Sequence, residues 1–318
     1  MGSFALEDFL SSPFEVSLQE LLALQKFVSQ QRHVSPIAKQ GALFSRSKVR
    51  GRGMDYVETR NYFYGDDIRL MDWRVMARTR QPHVKVFEIE KERPILIFMD
   101  MSPSMFFGTQ ICLKSVLGAN LAGLLAWTAK KHGDRVGGML SSLAQRNLWL
   151  PHAHNQSLIN FLKALCEASS HYREKKWNDW NSKNITGQFI RSLQELNQTL
   201  KPGTLVLLIS DWNYPPEQVQ SLLYEMRLHH DMILYHVADS IELEIPEKGI
   251  YPISNGKIIK NIHLQTNSLA NEYSEFCREK FRVWREIADK MRVPYYECSV
   301  QTDLSVLVRQ SLLRSLRG

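Results

Sequence analysis

The stretch Pro94-Ile95-Leu96-Ile97-Phe98-Met99-Asp100-Met101-Ser102-Pro103-Ser104 decides how the rest of this chain is read. The unbroken apolar run from Ile95 to Met99 has neither the alternation of a half-exposed strand nor the spacing of an amphipathic helix, and it suits a strand covered on both faces. The run ends on a carboxylate, and two hydroxyls follow at alternate positions. Ligand sites in open α/β sheets form outside the carboxyl ends of the strands, so Asp100, Ser102 and Ser104 stand where such a site is built.

Strand-like and helix-like segments alternate downstream of this point. An apolar helix over 115–129, closed by Lys114 and by Lys130-Lys131, is followed by a strand over 135–140, a short strand near Leu148 and a helix over 157–168. A helix over 189–200, an apolar strand over 205–209, a helix over 217–228 and a strand over 232–237 come next. This order predicts an α/β domain over 93–318 with a largely parallel sheet and helices on both faces. Asn255-Gly256, set between β-prone segments, predicts a β-hairpin inserted at about 246–266. A helix over 269–291, a strand over 293–300 and a helix over 303–316 complete the domain.

Upstream, Leu18, Leu21, Leu22, Phe27 and Val28 recur at helical spacing in an N-terminal segment, 1–44, whose apolar face is expected to pack on its own protein. Residues 45–92, rich in Gly, Tyr, Arg and Asp, read as a small β-rich region. Its Arg69, Asp72, Trp73 and Arg74 suit a structural Asp/Arg network better than a phosphate-binding surface, because acidic residues interrupt the basic ones.

The 318 residues are 44% hydrophobic and 23% charged, the balance of a globular chain with a substantial core. The net charge of +7 is spread along the chain, and the basic cluster Arg46, Lys48, Arg50 and Arg52 is followed by Asp55, Glu58, Asp66, Asp67 and Asp72. The local field is thereby reduced, and nucleic acid is not the expected partner. No apolar run is long enough for a membrane span. Cys112, Cys166, Cys277 and Cys298 are far apart, form no CxxC pair and follow no secretory leader, so disulfides and structural zinc are not expected and a cytoplasmic location is. His152 and His154 lack a third ligand of suitable spacing and read as surface residues. Trp177 and Trp180 are expected at the same sheet edge as Asp100, either as contacts near the site or as packing under a loop.

A second carboxylate, Asp211, follows the apolar strand over 205–209 in the same topological position as Asp100. Two carboxylates and two hydroxyls form an all-oxygen set suited to a hard cation, Mg²⁺ or Mn²⁺. Asp-x-Ser-x-Ser followed later by this Asp resembles the metal-ion-dependent adhesion site of von Willebrand factor A domains. The preceding block is similar to the bacterial family called domain of unknown function 58. It comprises Gly51-Arg52-Gly53, Asp55-Tyr56, Glu58, Arg60, Tyr62, Gly65-Asp66-Asp67, Arg69, Met71-Asp72-Trp73-Arg74, Ala77-Arg78 and Pro82-His83-Val84-Lys85. Lys91 to Pro94, Phe107-Gly108-Thr109, Lys114, Gly133-Asp134-Arg135-Val136-Gly137 and Ser210-Asp211 continue the similarity.

The resemblance implies a von Willebrand A-type fold and a cation with one open position, which a partner's acidic side chain completes. It also implies a protein-binding adaptor that works with a MoxR-type AAA+ ATPase, or with its client, in maturation or assembly of other proteins. In the family pattern a Thr from the loop before the Asp211 strand's preceding helix joins the ligand set. Here Asn184-Ile185-Thr186-Gly187 occupies that place, which makes Asn184 and Thr186 the remaining candidate ligands.

No arrangement in the chain points to turnover, so no enzyme activity is expected. A phosphohydrolase using Asp100 and a nucleic-acid-binding protein are the alternatives. The first needs a second Asp two residues on, where Ser102 stands, and neither a Gly-x-Ser-x-Gly elbow nor a phosphate-binding Gly-x-x-x-x-Gly-Lys-Ser/Thr loop is present.

Overall fold

A computed structural model describes residues 6–30, 54–89, 92–143, 146–174, 182–243, 249–254, 259–264 and 267–315; some side chains within these ranges, Asn184's among them, fall outside the description. The elements in the first half are α1 (Leu18–Gln30), β1 (Met54–Asn61), α2 (Trp73–Thr79), β2 (His83–Ile89), β3 (Pro94–Met101), α3 (Lys114–Lys131), β4 (Arg135–Ser142), β5 (Arg146–His152) and α4 (Gln156–Glu174). They continue with α5 (Ser182–Thr199), β6 (Leu205–Ser210), α6 (Pro216–His229), β7 (Asp231–Val237), α7 (Ser240–Leu243), β8 (Gly249–Ser254), β9 (Ile259–Leu264), α8 (Asn267–Met291), β10 (Tyr295–Cys298) and α9 (Leu304–Ser315). The chain divides into two units, one of Met1–His33 with Arg93–Gly318 and one of Val34–Glu92.

In the smaller unit β1 and β2 pair antiparallel, with a register shift between Tyr56 and Glu58. The residues between them are fixed by local polar bonds. Arg60 holds both oxygens of Asp66 at 2.8 Å. Asp72 caps α2, its Oδ1 accepting from the amides of Arg74 and Val75 at 3.1 Å. The acidic residues of this region thus serve turns and a helix N-terminus as much as arginines.

The larger unit is an α/β fold whose six-stranded sheet has the order β10-β7-β6-β3-β4-β5. All neighbours are parallel except β5, which runs antiparallel to β4 at the edge. The apolar run of β3 is explained by burial on both sides. Ile95, Ile97 and Met99 join Leu205, Leu207 and Ile209 of β6 in one core, covered by α1, α3, α4 and α9. Leu96 and Phe98 join Val206 and Leu208 in the other, covered by α5, α6 and α8. A strand with a core on each face has no solvent side on which to alternate.

α3 is buried around almost its whole circumference because α1 lies on its outer face. Of the residues whose spacing marked the helix, Leu21 and Val28 are buried in the first core and Leu18, Leu22 and Phe27 pack on it partly buried; Leu24 joins the buried set. A Cβ at Gly123 would come 2.9 Å from Leu24 Cδ1, so the missing side chain permits the close approach. Trp127 Nε1 donates to the Leu21 carbonyl at 2.9 Å, and Asn120 Nδ2 to Glu20 Oε1 at 2.7 Å. The amphipathic face is therefore closed within the unit that holds the sheet.

β8 and β9 form the expected antiparallel hairpin, from Gly249 opposite Leu264 to Ser254 opposite Ile259. The Asn255-Gly256 turn itself lies outside the described residues. One correction concerns α5, which begins at Ser182 and not near 189, so Asn184 and Thr186 lie in a helix and not in a loop. The physical reason is the helical spacing of Ile185 and Phe189, both of which pack on the second core.

Candidate functional site

β3 leads through α3 to β4 on one side, whereas β6 joins β3 on the other, so the sheet order reverses between β3 and β6. Such a switch point leaves a crevice outside the strand ends, because the connections depart in opposite directions. The parallel register aligns Met99 with Ile209, which brings Asp100 beside Ser210 and puts Asp211 one residue beyond. A strand spacing of about 4.8 Å and a residue step of about 3.8 Å hold the two Asp Cα atoms within about 9 Å.

Asp100 is 1% exposed. Its Oδ1 accepts from the Ser102 amide at 2.9 Å, and its Oδ2 from Ser210 Oγ at 2.6 Å and the Tyr214 hydroxyl at 2.9 Å. Ser102 starts a short 3₁₀ turn over Pro103–Phe106, with Pro pre-set at its first position. That turn sets Ser102 Oγ and Ser104 Oγ 3.2 Å apart, and Ser104 Oγ donates to Asp211 Oδ1 at 3.1 Å. Asp211 Oδ1 also accepts from the Asn213 amide at 3.2 Å, while its Oδ2 accepts from Lys114 Nζ at 2.9 Å.

The backbone after Asp211 is held in an unfavourable conformation, with Trp212 at φ 51. A bulky residue keeps this left-handed geometry only where its surroundings over-determine it. The Trp212 amide donates to Ser210 Oγ at 3.0 Å and its Nε1 to the Tyr235 carbonyl at 3.1 Å. Its own carbonyl accepts from Trp284 Nε1 at 2.9 Å. Ser210 therefore links the two carboxylate turns, and Trp284 on α8 holds the second from behind.

The two carboxylates differ in charge environment. Burial, and secondly the charge of Asp211, push Asp100 up to about 7, against the lowering effect of its three hydrogen-bond donors. Burial also works against ionised Asp211, but Lys114 and then Lys280 outweigh it and hold the group at about 2. Asp211 has an ammonium at 2.9 Å, whereas Asp100 has only neutral donors. A buried carboxyl without its own cation, next to two converging hydroxyls and the second carboxylate, fits an oxygen-ligated Mg²⁺ or Mn²⁺. Beside it lies a small cleft, lined in part by Asp100, Ser102, Ser141, Ile185, Gln188 and Tyr214.

A family model described as "Protein of unknown function DUF58" matches residues 58–281, well over half of the chain. The chain belongs to the DUF58 family. Uncharacterized proteins of Mycobacterium bovis and Mycobacterium tuberculosis are each 25% identical to it over 205 residues, 63% of this chain. The chain spans 60% of the length of those relatives. The crystal structure of a conserved hypothetical protein, BatB, from Bacteroides thetaiotaomicron matches with a TM-score of 0.44 and 13% identity, covering 70% of this chain and 98% of that one.

In this DUF58 chain the fold brings together Asp100, Ser102, Ser104 and Asp211. Thr186 is buried in the early part of α5, and the cleft takes its described α5 lining from Ile185, Gln188 and Phe189 instead. The side chain of Asn184, and Trp177 and Trp180 altogether, lie outside the described residues. His152 and His154 are exposed, and the four cysteines are free thiols. Among the described residues no helix is long and apolar enough to cross a membrane.

Sequence reasoning left Lys114, Ser210, Tyr214 and Glu242 out of the site. Lys114 read as the polar boundary of an apolar helix, yet it is 4% exposed and pairs with Asp211 and, at 3.2 Å, with Glu242. The usable signal was a lysine directly preceding an apolar stretch, a position equally suited to a solvated end.

Proposed function

We propose that the larger unit of this DUF58 protein is a von Willebrand factor A-type module that binds a protein partner through a divalent cation. The observation that carries this reading is the convergence of Asp100, Ser102 and Ser104 from the end of β3 with Asp211 from the end of β6, at the switch point of the sheet. When bound, Mg²⁺ or Mn²⁺ would supply a Lewis-acidic position to which a partner's Asp or Glu carboxylate adds. Asp100 is the carboxylate still lacking a cation, and the Ser102 and Ser104 hydroxyls complete a set with little negative charge. A set with so few anions leaves the ion electrophilic, which suits recognition of an acidic side chain. The adjoining cleft, lined in part by Ser141, Gln188 and Tyr214, sets polar side chains beside Asp100 and Ser102.

The family resemblance makes a MoxR-type AAA+ ATPase or its client the expected partner, and the chain's lack of a phosphate-binding loop fits a division of labour in which the partner hydrolyses ATP. The test is affinity capture with such an ATPase as bait, using wild type and Asp100→Ala. Binding is expected to weaken with EDTA, to return with Mg²⁺ or Mn²⁺, and to fall in a folded Asp100→Ala variant. Capture unchanged by both EDTA and Asp100→Ala overturns the proposal.

A further inference from the structure

Lys114 opens α3, a helix buried from that residue through Trp127, and its own side chain is 4% exposed. A long cationic side chain ordinarily carries its charge out to water. This one turns inward. Its Nζ lies 2.9 Å from Asp211 Oδ2 and 3.2 Å from Glu242 Oε2, and 5.7 Å from the centroid of the Phe107 ring. The surroundings fix it there. The Lys114 amide donates to the Phe107 carbonyl at 2.8 Å, and Thr109 binds Asp239 through both its amide and its hydroxyl. The Asp239 amide in turn donates to Glu242 Oε2 at 2.9 Å, and Lys280 from α8 reaches the other Glu242 oxygen at 3.7 Å.

Both oxygens of Asp211 are thereby engaged, Oδ2 by the ammonium and Oδ1 by Ser104 and the Asn213 amide. The geometry points to Lys114 as the resident counter-ion of this site, a positioning residue that fixes Asp211 and competes with an incoming divalent cation for its charge, and so sets the affinity of the site. This inference rests on the cation-binding reading above. The physical reason is that an ammonium this deeply enclosed is poorly screened, so it repels a second cation near Asp211 far more than a surface lysine would. Its removal leaves Asp211 without a contacting cation and Glu242 with Lys280 alone, a pair of carboxylates only partly compensated, which attracts a divalent ion in the ammonium's place.

The test is Mn²⁺ binding to the full chain, followed by the electron paramagnetic resonance of free Mn²⁺, for wild type, Lys114→Met, Lys114→Gln, Lys114→Arg and Asp100→Ala. The neutral variants are expected to bind Mn²⁺ at least tenfold more tightly than wild type, and Lys114→Arg within about threefold of it. Saturating Mn²⁺ should raise the Tm of Lys114→Met by more than it raises that of wild type. Folded Lys114→Met and Lys114→Gln proteins that bind no more tightly than wild type overturn the inference while leaving the cation reading standing, provided wild type binds. Binding in the neutral variants but not in wild type supports the inference and removes the cation reading for the natural protein. No binding in any variant overturns both. Should the neutral variants fold only with Mn²⁺ present, the ion replaces the ammonium as inferred; if they fail to fold even then, it does not, and the inference falls.

Discussion

Replacing Asp100 by Asn probes the electrostatics of the site with little change of shape. The side-chain amide can keep its oxygen on the Ser102 amide and turn its nitrogen to Ser210 Oγ and the Tyr214 hydroxyl, both of which can accept. In the folded protein Asp100 sits at about 7, against an ordinary value of 3.8. Between those values the folded chain retains a proton that the unfolded chain has released. The stability associated with that proton is complete below the ordinary value and is lost as pH rises through about 7. At about 1.4 kcal/mol per pH unit, the whole effect has a ceiling of about 4 kcal/mol, of which about 3 kcal/mol falls between pH 5 and 8.

Asp100→Asn cannot titrate there, so its stability relative to wild type should rise by about 3 kcal/mol over that interval. Asp134, which burial pushes up to about 6, adds a slope of the same sign. His230, lowered chiefly by burial, adds one of the opposite sign. Both groups are present in both proteins and cancel in the difference. The assay is urea unfolding of the two proteins at pH 5, 6, 7 and 8 with EDTA present. A difference that stays constant to within about 0.5 kcal/mol would mean that Asp100 ionises normally, and the account of the site as lacking a cation would be wrong.

Two further changes examine the scaffold. Gly138 lies on β4 with Phe161 ring atoms 2.2–2.5 Å from where a Cβ would stand, so Gly138→Ala should lower stability by about 1–3 kcal/mol in thermal unfolding, and Phe161→Leu should restore part of the loss. Trp284→Phe removes the donor to the Trp212 carbonyl and leaves that oxygen buried; urea unfolding should show a loss of about 1–3 kcal/mol, and an unchanged midpoint would mean that α8 does not support the Asp211 turn.

What the sequence determined is what depends on neighbours along the chain. The apolar run from Ile95 to Met99 required two covered faces, and the cores containing Ile97 and Phe98 on opposite sides supply them. Asp-x-Ser-x-Ser defines its own turn, because Asp100 Oδ1 meets an amide only two residues away. Leu21 and Val28 disclosed a buried helical face by their spacing, though not that Leu24 would lie on it or that Gly123 would receive it. The start of α5 was misjudged because a polar stretch containing Gly187 reads as a loop until Ile185 and Phe189 find the core.

Tertiary structure alone decided the electrostatics. Lys114 meets Asp211 across a separation of 97 residues, Ser104 meets it across 107, and Tyr214 reaches Asp100 across 114. Periodicity carries no information about such pairs, since a lysine at the mouth of an apolar helix has the same local signature whether it faces water or a carboxylate. Only the docking of β6 beside β3 puts Asp211 within reach of that lysine, whose charge outweighs burial and keeps this carboxyl strongly acidic, while burial pushes Asp100 up to about 7.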